Sequence, residues 1–296
     1  MQTTLQSEIT QVTIQSDGPI IIIGEKINPT GHKRLAKALQ TRNFEYVRSA
    51  AAEQVAAGAD VLDINVSVPG LDDIMLLPEV VKVVASRVGV PLCVDSPNPK
   101  AMAAALAVAP GKPLANSVNG QGSILREMLP IVKDRGAAVI GLTMDDKGIP
   151  NNPYERLAIA GRILEHAARI AIPPNDVVID PLVMTVGADQ KAGKVTLKTI
   201  DLIRRELGVN MILGASNVSF GLPSRNTVNQ AFLALAAGEG ASCVITDPIK
   251  FTAIIRATDL LRGHDPYAKR YISYYRSHSG RTREETSLKI ASQSMH

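Results

Sequence analysis

Residues 59–96 read ADVLDINVSVPGLDDIMLLPEVVKVVASRVGVPLCVDS. Two short apolar, β-branched runs, 61–66 and 91–95, flank a longer stretch, 74–88, in which apolar residues recur at helical spacing. Gly89 then separates helix from strand, as a helix C-cap does. Strand, helix and strand in this order make a βαβ unit with parallel strands.

The unit repeats along the chain. Strand-like runs at 20–24, 113–118, 137–143, 176–180, 211–216 and 242–247 bring the number to eight. Helix-like segments lie between them, at 44–57, 124–135, 154–170, 196–207, 227–237 and 249–261. Gly58, Gly136, Gly208 and Gly240, with Gly89, close five of these helices. Runs such as Ile20-Ile21-Ile22-Ile23 do not alternate with polar residues, which points to strands buried on both faces. Eight such units predict an α/β fold of the (β/α)8 TIM-barrel type, a single domain with a C-terminal helical tail. An open doubly wound sheet usually has fewer strands and a glycine fingerprint after the first. Residues 119–125, NGQGSIL, lack the third glycine of that fingerprint, and residues 187–195, GADQKAGKV, carry Val195 where a P-loop requires Ser or Thr.

At 296 residues the chain exceeds the usual single-domain length, yet barrels of this type run to about 250 residues as one unit. Its 45% hydrophobic and 20% charged content is that of a globular protein with a large core. The net charge of +4 is localised: from Arg262 onward, Arg262, Lys269, Arg270, Arg276, Arg281, Arg283 and Lys289 face only Asp265, Glu284 and Glu285. The barrel, 1–262, is therefore close to neutral, and a neutral body argues against nucleic acid as a partner. The tail, 263–296, also carries Tyr267, Tyr271, Tyr274 and Tyr275, a pattern expected to pack on the barrel or at a subunit contact. No apolar run is long enough to span a membrane, and the first residues, MQTTLQSEIT, lack the features of a signal peptide, so a cytoplasmic location is expected. Cys93 and Cys243 sit inside apolar runs and are expected to be buried thiols.

Barrel active sites lie at the C-terminal ends of the strands, so a polar residue that finishes an apolar run is a candidate by position. Glu25 and Asn28 follow the first run; Asp63 and Asn65 lie in the second. Asp95 and Ser96 end the third, and Asn116 is in the fourth. Thr143, Asp180, Asn217 and Asp247 end the fifth to eighth. Any one of them could simply cap a helix or satisfy a loop. Together they describe a pocket of carboxylates and amides, poor in Lys, Arg and His, suited to an uncharged ligand rich in hydrogen-bond donors. A pterin has that character: a carboxylate can accept from its amino group and ring N–H side by side. The five histidines form no i, i+3 or i, i+4 pair and the cysteines are 150 positions apart, so no metal site is expected. No G-x-S-x-G nucleophile motif is present.

Eight motifs carry a family resemblance: GEKIN (24–28), ADVLDINV (59–66), LCVDS (92–96), ANSVN (115–119), AAVIGLTMDDKGIP (137–150), VIDPLV (178–183), LGASNVSFGLPSR (213–225) and ITDP (245–248). Over residues 20–262 the chain resembles the pterin-binding methyltransferases, most closely the methyltetrahydrofolate:corrinoid protein methyltransferases, which include the folate domain of cobalamin-dependent methionine synthase. The resemblance implies methyl transfer between N5 of tetrahydrofolate (as 5-methyltetrahydrofolate when loaded) and the cobalt of a corrinoid, in a direction the sequence leaves open. It implies that Asp95, Asn116 and Asp180 hold the pterin ring, that Gly214 and Ser216 line it, and that Asn217 lies near N5 as the catalytic hydrogen-bond donor. Arg225 would face the folate tail or the partner, and Glu25, Asn28, Asp63 and Asn65 would shape the floor. A homodimer is implied on the same ground.

The chain has no Asp-x-His-x-x-Gly signature, so the corrinoid (cobalamin) is expected on a partner protein, with contacts from the loops after Pro69, Met144, Met184 and Phe220. Dihydropteroate synthases share the barrel and the carboxylates but bind a diphosphate with cations after the seventh and eighth strands. Ser216-Asn217-Val218 and Asp247-Pro248 stand at those places here. Synthase-type chemistry and a non-catalytic folate-binding subunit are the alternative readings.

Overall fold

A computed structural model describes residues 1–278. Among them are ten strands and nine α-helices up to residue 261, with a further helical stretch at 269–278. Two strands, β1 (Gln2–Gln6) and β2 (Gln11–Gln15), form an antiparallel hairpin. The other eight are β3 (Ile21–Ile27), β4 (Val61–Ile64), β5 (Leu92–Asp95), β6 (Leu114–Asn119), β7 (Ala138–Leu142), β8 (Val177–Asp180), β9 (Ile212–Gly214) and β10 (Cys243–Thr246). They are all parallel and run in the order β8-β7-β6-β5-β4-β3-β10-β9. The seam between β8 and β9 is held by a parallel bridge between Ile179 and Met211, and Ile179 N–H donates to the Asn210 carbonyl at 2.9 Å. The sheet thus curls into a nearly closed (β/α)8 barrel, the fold the eight runs predict.

The helices surround it: α1 (Lys33–Gln40), α2 (Phe44–Ala56), α3 (Asp73–Ala85), α4 (Pro99–Leu106), α5 (Gly122–Asp134), α6 (Pro153–Arg169), α7 (Ala192–Glu206), α8 (Arg225–Glu239) and α9 (Pro248–Leu261). Several begin at a cap that the apolar pattern does not show. Asn43, Asp72, Asn152 and Asp247 each accept a backbone N–H of the first turn. Gly58, Gly136, Gly208 and Gly240 hold positive φ after their helices, and Ala59 N–H closes back on the Gln54 carbonyl at 3.0 Å. Gly89 is different. It is absent from the positive-φ positions, its carbonyl accepts from Ser7 Oγ at 2.6 Å, and an added Cβ would lie 2.4 Å from Ile9 Cδ1. Gly89 therefore makes room for the hairpin turn instead of capping a helix.

Burial on both strand faces creates two separate cores. The outer one joins alternate strand residues, such as Ile22, Leu62, Val94 and Ile179, to the helices. The inner one contains no helix residue: Ile21, Ile23, Val61, Cys93, Leu114, Ala138, Ile140, Val178, Ile212 and Cys243 fill the barrel interior. Leu5 and Ile14 of the hairpin join this inner set, both fully buried. The hairpin is fastened at the seam, where Asn210 Nδ2 donates to Thr3 Oγ1 at 2.9 Å and to the Ile14 carbonyl at 2.8 Å. It therefore plugs the barrel at the end where the strands begin.

A charge network also lies at that end. Asp259 accepts Ile20 N–H at 2.9 Å and Asp60 accepts Ile22 N–H at 2.9 Å. Arg256 and Arg270 both reach Asp60, at 3.4 and 3.3 Å. Residues 269–278 are helical. Arg281, Arg283, Glu284, Glu285 and Lys289 of the basic tail lie outside the described residues. Among the described residues, no helix is long and apolar enough to cross a membrane.

Because Leu5 fills the inner core, Leu5→Ala should lower unfolding free energy by about 2–5 kcal/mol in a denaturant titration. A change below about 1 kcal/mol would show that the hairpin does not unfold with the barrel.

Candidate functional site

Side chains two residues apart on a strand point the same way. The inward apolar series therefore continues at the C-terminal strand ends into Glu25 after Ile23, Asp63 after Val61, Asp95 after Cys93, Asn116 after Leu114, Asp180 after Val178 and Gly214 after Ile212. Five of these six are carboxylates or amides, and they rim one barrel mouth.

The structure brings the expected residues into contact in pairs. Asn116 Nδ2 donates to Asp63 Oδ1 at 3.2 Å, and Asn65 Nδ2 donates to Asp95 Oδ2 at 3.0 Å. Ser216 Oγ donates to Glu25 Oε1 at 3.2 Å. Asp180 Oδ1 accepts Leu182 N–H at 2.7 Å. Asn217 is exposed on the short 3-10 turn after β9, and its Nδ2 lies 3.3 Å from where a Cβ on Gly214 would be. A glycine at 214 lets the amide settle over the strand end.

Other strand-end polar residues do structural work. Asn28 accepts Thr30 N–H at 3.0 Å, Ser96 accepts Asn98 N–H at 3.1 Å, and Thr143 Oγ1 donates to the Asp180 carbonyl at 3.0 Å. Asp247 caps α9.

The mouth is less poor in cations than the strand ends alone indicate. Lys26 and Lys250 approach Asp247 at 3.8 and 3.5 Å. Exposed Arg225 donates to the Ser216 carbonyl at 2.7 Å and to Ser219 Oγ at 3.1 Å, and lies 5.8 Å from the Phe220 ring centre. Lys26 and Lys250 come from positions just past Glu25 and Asp247, which a reading limited to strand-end residues passes over.

Burial dominates the electrostatics. Asp63 is 2% exposed, and loss of water together with the neighbouring Asp95 pushes its carboxyl up to about 8, against the hydrogen bonds from Cys93 and Asn116. Burial raises Asp180 to about 7, with Leu182 N–H and the Arg156 charge acting the other way. Asp95 is raised by burial, opposed by Asn65. Glu25 is raised by burial, opposed first by the Ser216 hydroxyl. Asp63 and Asp180 thus hold protons near neutrality, and a ligand that offers hydrogen-bond donors favours their ionised forms.

Arg156 is a residue the sequence reading missed. It is 1% exposed, and its guanidinium donates to the carbonyls of Pro150, Pro181 and Leu182, each at 2.7 Å. Leu182 has φ +60, the left-handed region, and this clamp fixes the turn that aims Asp180. A signal was available: Arg156 shares the buried face of α6 with Ile159, Ala160, Ile163 and Ala167, where a cation needs a buried partner. Among the described residues, no group of three or more His, Cys, Asp or Glu is placed to hold a metal ion.

Fold and mouth together define a class: a parallel (β/α)8 barrel that presents buried carboxylates and amides at its C-terminal face. By sequence the chain belongs to the pterin-binding enzymes, whose family description matches residues 24–247. It is 30% identical over 262 residues to the methylcorrinoid:tetrahydrofolate methyltransferase of Eubacterium limosum, covering 87% of this chain and 96% of that protein. It is 28% identical to the methionine synthase of Mycobacterium tuberculosis over 78% of this chain, which spans only 20% of that longer protein. Dihydropteroate synthases share the fold. The Yersinia pestis structure with a pterine-sulfa conjugate superposes with a TM-score of 0.69 at 17% identity, over 88% of this chain and 99% of that one.

Asp63 yields a stability prediction. Its folded carboxyl titrates near 8 and its ordinary value is 3.8, so the folded state holds an extra proton between them, and stability falls as pH rises through that window. Asp63→Asn keeps an acceptor for Asn116 and removes the ionisation. Its melting temperature should exceed that of the wild type by several degrees near pH 8, with the gain shrinking towards pH 4. An equal shift at both pH values would contradict the burial of an ionisable Asp63.

Proposed function

We propose that this protein is a methyltransferase that moves a methyl group between N5 of tetrahydrofolate and the cobalt of a corrinoid carried by a partner protein. The observation that carries the reading is the convergence of Asp95, Asn116 and Asp180 on the mouth that also holds Asn217 beside Gly214. The similarity to the Eubacterium limosum methyltransferase over nearly its whole length supports it.

The residues fit the ligand. The amino group and ring N–H of a pterin are adjacent donors, and an ionised Asp180 or Asp95 offers adjacent acceptors. The ring is uncharged, so it enters a dehydrated mouth at little cost once its donors are paired. A heterocycle without those donors leaves carboxylates unpaired, at about 1–3 kcal/mol for each, which makes the site selective.

Towards the corrinoid, Co(I) attacks the methyl carbon of 5-methyltetrahydrofolate, the carbon–cobalt bond forms as the carbon–N5 bond breaks, and N5 takes a proton. Tetrahydrofolate and a methyl-Co(III) corrinoid result. The amide of Asn217 cannot supply that proton, but it can hydrogen-bond N5 more strongly as the bond breaks than before. The proton arrives from water or through the acids beside the ring, of which Asp180 titrates near 7. In the opposite direction N5 attacks a cobalt-bound methyl, and the same contacts serve because one transition state is shared. The partner reaches the mouth over the loops after Pro69, Met144, Met184 and Phe220. Phe220 is 68% exposed there.

Asn217→Ala should weaken tetrahydrofolate binding only modestly and slow transfer to or from methylcobalamin by about two to three orders of magnitude. Transfer at the wild-type rate would remove Asn217 from the chemistry and favour a protein that only binds folate.

A further inference from the structure

The proposed pterin contacts give the folate arm a direction. They set the donor-rich edge of the ring against Asp95, Asn116 and Asp180 on β5, β6 and β8, with N5 beside Asn217 after β9. The carbon that bears the benzoylglutamate arm, C6, is bonded to N5. The arm therefore leaves over β9, β10 and β3, which are consecutive around the barrel.

On the β3 side the rim opens into a cavity of about 370 Å³ lined by Lys26, His32, Arg34, Tyr46, Ser49 and Glu53 among others. Three basic side chains there face one acid. Lys26 joins the cavity to the mouth, because its ammonium lies 3.8 Å from Asp247 and it follows Glu25 directly. His32 stands at the N-cap of α1 without a side-chain cap bond, and the first turn of that helix contains no acidic residue. Its Nδ1 is buried with no hydrogen-bond partner. A buried polar atom left unpaired beside two cations and a helix N-terminus is suited to an entering anionic oxygen.

We propose that this cavity seats the glutamyl carboxylates of the folate arm, so that the preferred substrate is a polyglutamylated tetrahydrofolate. The inference rests on the pterin assignment above. Carboxylates of successive glutamates can reach Lys26 at the rim and then half-buried His32 and exposed Arg34, where charge-assisted hydrogen bonds form but are screened by salt. Inorganic phosphate presents the same anionic-oxygen chemistry, and the experiment separates the two.

Calorimetry on the full chain would compare tetrahydropteroate, which lacks glutamate, with tetrahydrofolate bearing three glutamates, in the wild type and in a His32→Gln/Arg34→Gln double variant. The expected wild-type preference for the triglutamate is about tenfold, declining as salt is added, and it should shrink several-fold in the double variant. An equal preference in both proteins, or none in the wild type while tetrahydropteroate still binds, would overturn the inference and leave the pterin reading standing. Binding of inorganic phosphate that depends on His32 and Arg34 but leaves the glutamate preference intact would assign the cavity to a phosphate and overturn it too. Failure of both pterin compounds to bind the wild type would defeat the pterin reading, and this inference with it.

Discussion

The period of two along a β-strand is the constraint on which the rest of this structure depends. In a closed parallel barrel each strand has one face against the helices and one against the interior, and a slip of one residue would exchange them. Ile21, Ile23 and Glu25 share a face, as do Val61 and Asp63, Cys93 and Asp95, Leu114 and Asn116, and Val178 and Asp180. The inner residues fill the barrel until the apolar series ends, and the next inward position is polar. Packing and site geometry are thus one arrangement, because the residues that fill the interior also fix where the carboxylates point.

The enclosure that aims these groups also removes their water. Asp63 and Asp180 respond by holding protons to about 8 and about 7, and Asp95 and Glu25 shift in the same direction. The mouth is therefore a place of local instability, relieved by the amides of Asn65 and Asn116 and by the turn that Arg156 clamps behind Asp180. A donor-rich uncharged ring would complete what these partners begin. Unlike a cation, it would do so without adding a second buried charge.

Most of the barrel was legible because strand burial and helix amphipathicity leave direct marks on the sequence. All eight barrel strands coincide with apolar runs, and the inward polar residues could be named from where those runs stop. The hairpin was not legible: Gln2–Gln6 and Gln11–Gln15 bury few side chains, and their role becomes visible only once Leu5 and Ile14 meet the far inner core. The short helices α1 and α4 have eight residues each, too few to declare a period. Gly89 resembled a helix cap because its reason, contact with Ile9, lies 80 positions away. The ion pair of Lys26 with Asp247 was hidden for a similar cause, since linear order does not show which loops share a rim. Of the candidate site, the pairings Asp63–Asn116 and Asp95–Asn65 are long-range contacts that sequence position alone could not assign.

The central claim is that a buried, ionisable carboxylate at a strand end accepts the donors of a pterin, and its most direct test is the pH dependence of tetrahydrofolate affinity. Only the ionised form of Asp180 can accept two donors, and its carboxyl titrates near 7. Affinity should therefore level off above about pH 8 and fall by up to about tenfold per unit below 7. In Asp180→Asn it should be low at every pH and should lose that slope. Affinity that is flat with pH in the wild type, or unchanged in Asp180→Asn, would contradict the account.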